Sequence, residues 1–226
     1  MPNEKPMKKR VRTPAKTAAK PRKRAASGAA KAAQAAKHDK ASIRRLRAEL
    51  AAALKRIEEL SASADTDFLL DIPNRRGFEH ELARSIAYIK RYRASGALIV
   101  LDVDRLKPIN DAFGHAAGDE VLKAITAVLT RQVRASDVVG RLGGDEFGLL
   151  LWNLTETDAR AKAAALEEDI DRLTFSFGGQ SVAAGASAGV AILGANSEAG
   201  RALEEADSAM YVRKAQRRHE GKSAAG

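Results

Sequence analysis

The chain contains no cysteine. That excludes a disulfide-stapled scaffold, thiolate metal sites and cysteine nucleophiles, and it suits a reducing, cytoplasmic compartment. Aromatic residues are only 4%, so any core must be mostly aliphatic. No apolar run approaches the ~18 residues needed to span a bilayer. The longest strongly apolar stretch, Ala97–Leu101, stops at Asp102. The basic first residues are not followed by an apolar segment, so no secretory signal is expected. What is present is 226 residues, 45% of them hydrophobic, enough for one ordinary domain with an extension.

Charge is unevenly spread. The formal net charge is +10, but residues 1–40 hold 13 Lys and Arg against two acids, Glu4 and Asp39. The remainder holds 26 basic and 27 acidic residues and is close to neutral. Residues 1–40 are built from Lys, Arg, Ala, Pro and Thr, with almost nothing to bury, so the composition predicts a disordered basic tail. Such a tail is either a solubilising segment or a contact for nucleic acid or an anionic membrane surface.

From Ser42 to Ala64 the pattern changes. Ile43, Leu46, Leu50, Ala53, Ile57, Leu60 and Ala64 recur at alternating spacings of three and four. That is the seam of a coiled coil over roughly three heptads. The spacing predicts a helical stalk over 41–64 that pairs in parallel with a second copy. A single amphipathic helix is the alternative.

From residue 65 to 220 helical and extended patterns alternate, with a flexible end at 221–226. A helix is expected over 74–95, a strand over Ala97–Val103, a polar loop over Asp111–Gly118 and a helix over 119–134. A strand over Asp137–Leu142 turns through Gly143-Gly144-Asp145 into Glu146–Trp152. Adjacent glycines supply the positive φ of a two-residue hairpin. A helix over Thr155–Leu173 is capped by Thr155, with Asp158 in its first turn. Strand material over Val182–Leu193, with room for a short partner strand before it, and a helix over Arg201–Arg218 follow. The order is a mixed α/β (α+β), ferredoxin-like βαββαβ arrangement with flanking helices.

That architecture hosts many functions, so chemistry must be sought in particular residues. Asp102 and Asp104 end the first strand, and Asp145 and Glu146 sit on the hairpin. In a βαββαβ sheet these two elements are expected to be neighbours. Close carboxylates repel unless a proton or a cation joins them. Oxygen ligands without cysteine or clustered histidine favour Mg²⁺ or Mn²⁺, an arrangement suited to phosphoryl transfer. Solvated acids at a strand end and a turn are the alternative.

Arg141-Leu142-Gly143-Gly144-Asp145-Glu146-Phe147 resembles the signature hairpin of the GGDEF domain, the family of diguanylate cyclases. Other segments follow the family pattern in register. Residues Asp67 to Arg76 resemble D-x-L-T-G-L-x-N-R, and Asp102-Val103-Asp104 matches its aspartate-flanked strand end. Asn110 to Asp119 matches N-D-x-F/Y-G-H-x-x-G-D, residues Ser187 to Ala191 resemble its late strand, and Ala206 to Lys214 matches A-D-x-A-L/M-Y-x-A-K with Arg213 in place of alanine. The likeness covers roughly 65–220. It implies a fold resembling nucleotide cyclases and polymerase palms, and condensation of two GTP into cyclic di-GMP with release of two pyrophosphates.

The resemblance also implies roles. Asp102, the Val103 carbonyl, Asp145 and Glu146 would hold Mg²⁺ or Mn²⁺, two ions per site. Asp145, Glu146 and Lys214 would act in the chemistry, with Asp145 a ligand, a proton acceptor or both. Asn110 and Asp119 would read guanine, a carboxylate accepting from the N1–H and N2 amine that adenine does not offer together. Without the family pattern, Asn110 reads as a cap and Asp119 as an acid near a helix start. Lys107, Lys214 and Arg218, with backbone N–H groups of Arg105 and Leu106, would hold the triphosphate. Arg134 and Asp137 match the family's R-x-x-D site for feedback by cyclic di-GMP. Arg141 would face either the active site or that product site, and His115 would be a structural hydrogen-bonder. Because one domain holds one GTP, a homodimer is implied.

Several residues depart from the pattern. Leu70 stands for threonine and Asp71 for glycine, at a position where aspartate tolerates positive φ well. Arg105-Leu106 stand where aromatic residues are common, Pro108 removes a backbone donor, and Arg217-Arg218-His219 replaces G-R-N.

Overall fold

The computed structural model describes residues 42–53, 55–56 and 64–223, with side chains described to residue 220. The basic tail over 1–40 and the seam positions Ile57 and Leu60 lie outside the described residues. The chain divides into two units, Met1–Glu58 and Glu59–Gly226. In the first unit, residues 42–53 form a helix, α1. Its seam residues Ile43, Leu46 and Leu50 are 50%, 62% and 60% exposed. Arg45 and Glu49 pair across one turn at 2.8 Å. Among the described residues no helix is long and apolar enough to cross a membrane.

The second unit opens with a two-stranded ribbon, β1 (Thr66–Asp67) and β2 (Ile72–Pro73). Asp71 turns this ribbon at φ 53°, in the left-handed region that aspartate enters more readily than most side chains. Helix α2 (Arg75–Tyr92) follows, with Asn74 as N-cap accepting from the Gly77 N–H at 3.1 Å. Strand β3 (Gly96–Asp104) leads into two helices, α3 (Leu106–Phe113) and α4 (His115–Arg131). The segment expected as a polar loop is therefore mostly helical. Only Gly114, at φ 84°, separates the helices. Pro108 stands in the first turn of α3, where its missing N–H breaks no helical bond.

The hairpin of β4 (Val138–Arg141) and β5 (Glu146–Trp152) comes next, then α5 (Glu156–Asp171), whose N-cap Thr155 accepts from Asp158 as expected. A separate small hairpin, β6 (Thr174–Phe177) and β7 (Gln180–Ala183), precedes strand β8 (Gly185–Leu193) and helix α6 (Ala199–Ser223). The main sheet is antiparallel with order β4-β5-β3-β8. That is the ferredoxin-like order, and β3 sits beside β5 as the topology requires.

Strand alternation divides the core. Ala97, Ile99, Leu101 and Val103 face α4 and α5, meeting Val121, Ile125, Leu129, Leu166 and Ile170. Leu98, Val100 and Leu150 face the opposite layer, meeting Phe78, Leu82 and Ile89 of α2 and Ala202, Ala206 and Met210 of α6. Side chains on a strand repeat every second residue. Asp102 and Asp104 therefore share the face of Leu98 and Val100, towards α2 and α6. Gly189 of β8 lets α6 lie close, because a Cβ there would stand 2.1 Å from the Ala206 carbonyl oxygen and the Met210 nitrogen.

Candidate active site

The β3–β5 register puts Asp102 directly opposite Glu146. The Val103 N–H donates to the Asp145 carbonyl at 2.8 Å, fastening the hairpin turn to the end of β3. From α6, Lys214 reaches in and its Nζ donates to Asp102 Oδ1. Burial pushes the Asp102 carboxyl above its ordinary range. The Lys214 hydrogen bond and charge oppose that push, and repulsion from Asp145 and Asp104 adds to it. Burial also raises Glu146, reinforced by Asp102, Asp145 and Asp207, with Arg75 acting the other way. Asp102, Asp145 and Glu146 thus act on one another electrostatically, with the Lys214 ammonium on Asp102.

The hairpin turn differs from the two-residue form expected. Leu142 and Gly143 both donate to the Glu146 carbonyl, at 2.8 and 3.3 Å. Neither Gly143 nor Gly144 is among the positive-φ residues. The glycines provide space instead of a left-handed backbone. A Cβ on Gly143 would stand 2.8 Å from Glu146 Oε2, and one on Gly144 would project into open space. Arg141 is engaged with the turn and with Asp67. Its Nε donates to the Gly143 carbonyl at 2.9 Å and its Nη2 to the Gly144 carbonyl at 2.7 Å. Its Nη1 pairs with Asp67 Oδ2 at 2.9 Å.

The remaining expected residues divide by location. Arg105 begins α3 at φ 68° and no side chain caps that helix, which leaves its first N–H groups without a side-chain acceptor. Leu106 points into the core, while Lys107 is exposed. Asn110 on α3 packs against Gly118 of α4, and its Oδ1 is buried without a hydrogen-bond partner. Asp119 follows on α4, partly buried. Arg218 is exposed on α6, one turn beyond Lys214. His115 is exposed and makes no side-chain hydrogen bond among the described residues, contrary to the structural role expected of it.

Arg134 and Asp137 form a turn away from the carboxylates. Asp137 accepts from the Arg134 N–H at 2.9 Å and from the Trp152 N–H at 3.1 Å. The Arg134 side chain is exposed and has no ion-pair partner among the described residues.

Sequence reasoning missed a second charged cluster beside the first. Glu167, Asp171, Arg213 and Arg217 join α5 to α6 and reach Asp104. A signal existed for Glu167. It interrupts the buried stripe of Ala159, Ala163, Leu166 and Ile170 on α5, and a buried acid needs a partner.

Oxygen donors alone at the end of β3 suit a hard divalent cation by type. Among the described residues, however, no three acidic or imidazole groups are already gathered as a metal cage. The ammonium of Lys214 stands beside Asp102 and supplies positive charge there.

The fold is an antiparallel ferredoxin-like sheet with carboxylates at the meeting of its first strand and central hairpin. The family described as "Diguanylate cyclase, GGDEF domain" matches residues 64–220, and the chain belongs to it. It is 37% identical over 161 residues to "Probable diguanylate cyclase DgcE" of Escherichia coli K12, covering 71% of this chain and 15% of that one. It is 39% identical over 158 residues to "Diguanylate cyclase DgcP" of Pseudomonas aeruginosa, covering 69% and 23%. The chain thus spans less than a quarter of the length of these relatives. Among solved structures, the GGDEF domain of TpbB from Pseudomonas aeruginosa superposes with TM-score 0.62 at 36% identity, covering 67% of this chain and 89% of that one. The GGDEF domain of DgcB from Caulobacter crescentus, in complex with c-di-GMP, superposes with TM-score 0.65 at 26% identity, covering 68% and 91%.

Proposed function

We propose that the chain is a diguanylate cyclase that condenses two GTP into cyclic di-GMP. The observation that carries this reading is the β3–β5 register, which sets Asp102 across from Glu146 and next to Asp145 on an unbroken GGDEF hairpin. In each half-reaction the 3′-oxygen of one nucleotide attacks the α-phosphorus of the other. The bond to the β-phosphate breaks and pyrophosphate leaves, while Asp145 receives the hydroxyl proton. Repeating the step in the opposite sense closes the ring.

Asn110 and Asp119 read guanine. The buried, unpartnered Oδ1 of Asn110 supports this, because such an oxygen is costly unless something donates to it. Lys107, Arg218, Lys214 and the N–H groups of Arg105 and Leu106 take the triphosphate, which suits an uncapped helix start. Asp102, the Val103 carbonyl, Asp145 and Glu146 would hold two Mg²⁺ or Mn²⁺ ions, and Lys214 would leave Asp102 for the phosphates when they arrive. Bound there, the ions would supply positive charge against the α-phosphate and the departing pyrophosphate.

One domain holds one nucleotide, so two domains must meet face to face as a homodimer. The exposed seam of Ile43, Leu46 and Leu50 supports pairing of stalks. Arg134 and Asp137 bind cyclic di-GMP as feedback. The Arg134 guanidinium, which has no ion-pair partner among the described residues, favours this, although Asp137 must share oxygens already bonded to backbone.

The test is full-length protein with GTP and Mg²⁺, with product read by chromatography beside Asp145→Ala. Cyclic di-GMP from the first and none from the second is expected. A dimeric wild-type protein that forms no product would overturn the reading in favour of a nucleotide receptor.

A further inference from the structure

The end of α6 that faces the site lacks apolar anchors. The helix buries Ala202, Ala206 and Met210 at four-residue spacing. One turn on, that stripe becomes Arg213, Lys214 and Arg217, and Tyr211 and Val212 are exposed. Packing alone therefore does not fix the rotation of this end, and ion pairs with carboxylates of α5 and β3 hold it instead.

Glu167 of α5 is 6% exposed and meets Arg213, Nε at 3.0 Å and Nη2 at 2.9 Å. Its other oxygen accepts the Ala188 N–H of β8 at 2.8 Å, so the pair is tied to the sheet. Arg217 Nη2 reaches both oxygens of Asp171, at 2.6 and 2.8 Å. Its Nη1 lies 3.7 Å from Glu167 and its Nε 3.5 Å from Asp104 Oδ2. Asp104 Oδ2 also accepts from the buried Ser187 hydroxyl at 3.0 Å. Arg217 thus joins α6 to α5 and to the ends of β3 and β8. Lys214 lies between the two arginines in sequence and meets Asp102, two residues before Asp104 on the same face of β3.

We propose that Arg217, with Arg213 behind it, is the positioning residue that sets Lys214 at the catalytic carboxylates. The proposal deepens the cyclase reading and rests on it. The family pattern has alanine at 213 and glycine at 217, so the device belongs to this chain. A lysine side chain has many rotamers to lose, and its ammonium finds a fixed place only if its Cα is fixed. A guanidinium fork does that, because its planar donors meet carboxylates in defined directions where an ammonium does not. Arg217 touches no reacting atom and acts through Lys214.

Two arms test this. In the first, full-length protein without nucleotide is acetylated briefly, and Lys214 is followed by mass spectrometry beside Lys123 and Lys162. Lys214 is expected to react about fivefold faster in Arg217→Met than in wild type, the factor of one lost contact. Lys123 and Lys162 should keep their rates, and Arg217→Lys should restore part of the protection. This arm needs no turnover, so it stands even if GTP proves not to be the substrate. In the second arm, kcat/KM for GTP should fall roughly tenfold in Arg217→Met, within the ~10²-fold cost of a 1 Å misplacement. Lys214→Met should then cost much less in that background than in wild type, because the ammonium is already misplaced. Unchanged Lys214 labelling in the folded variant overturns the proposal, and so do additive losses in the double variant. Should Arg217→Met unfold, with all lysines accelerating together, Asp171→Asn is scored by the same criteria. Wild-type protein that makes no cyclic di-GMP while Lys214 still responds to Arg217→Met would remove the cyclase reading and leave the positioning role standing.

Discussion

Arg141 Nη1 lies 2.9 Å from Asp67 Oδ2, a pair separated by 74 residues in sequence. Asp67 stands at the head of the domain, where its other oxygen accepts the N–H groups of Leu69 and Leu70, each at 3.0 Å. Arg141 holds the carbonyls of Gly143 and Gly144. One guanidinium therefore joins the segment that leads into the domain to the turn that carries Asp145. The two side chains are 18% and 17% exposed, so water competes little for either.

Arg141→Met removes three charge-assisted hydrogen bonds at once and leaves Asp67 without its cation. Unfolding in urea should show a loss of about 1.5–3 kcal/mol, the range of a hydrogen bond to a charged group. Activity should fall further than stability explains, because the turn loses its shape. Asp67→Asn should lose less, since an amide oxygen still accepts from Leu69 and Leu70. Wild-type stability in Arg141→Met would show that the clamp is a surface pair of no consequence.

Gly118→Ala tests the proposed reading of guanine by Asn110 without replacing a polar group. Alanine ordinarily stabilises a helix interior relative to glycine by roughly 0.5–1 kcal/mol. Here its Cβ would stand 2.0 Å from Asn110 Oδ1, so the Asn110 amide must move. KM for GTP should rise on the order of five- to tenfold, the worth of one hydrogen bond, with kcat little changed and the melting temperature held. An unchanged KM would mean that Asn110 does not read the base.

Much of this was legible in the sequence. The aliphatic runs of β3 and β5 and the helical spacing of α4 gave the βαββαβ order, and that order placed Asp102 beside the hairpin. The helical nature of Leu106–Phe113 was hidden because Leu106 and Ile109 are its only buried residues, too few for a periodic signal beside Pro108 and Gly114. The sequence leaves Arg141 open between two ligand sites, because none of its chain neighbours points to Asp67. The motif drew attention to Arg218, yet Arg217 is the residue that turns inward. Which of two adjacent arginines faces the sheet depends on the rotation of α6, and the Asp171 carboxylate that meets Arg217 lies 46 residues away in sequence.

The carboxylates at the site should leave a pH signature in the ligand-free protein. Burial and three acidic neighbours raise the Glu146 pKa above its unfolded value. The folded state therefore binds that proton more readily than the unfolded state. This contribution to stability rises as pH falls through the raised pKa and is lost as pH climbs above it. Glu146→Gln removes the penalty that ionised Glu146 imposes near neutrality. Its melting temperature should exceed that of wild type at pH 7, with the difference shrinking as pH falls towards the ordinary glutamate value of ~4.3. Adding GTP with Mg²⁺ should stabilise wild type more than the variant, because the cation then neutralises the same charge. A difference that does not vary with pH would place its origin in packing instead.

The stalk gives the last prediction, through concentration. If two domains must meet to join two nucleotides, the rate per protomer depends on how often one site finds another. Paired stalks hold the domains at an effective concentration in the millimolar range for short connections, far above that of a dilute enzyme. Ile43, Leu46 and Leu50 are exposed in the single chain, and pairing would cover them. Protein lacking residues 1–64 should then keep its activity at high concentration and lose it steeply on dilution, while the full-length protein holds a constant specific activity over the same range. Replacing Leu46 and Leu50 by Asp should reproduce the dilution effect without shortening the chain. Equal specific activity for all three proteins at every concentration would sink the stalk's role and assign pairing to the domain itself.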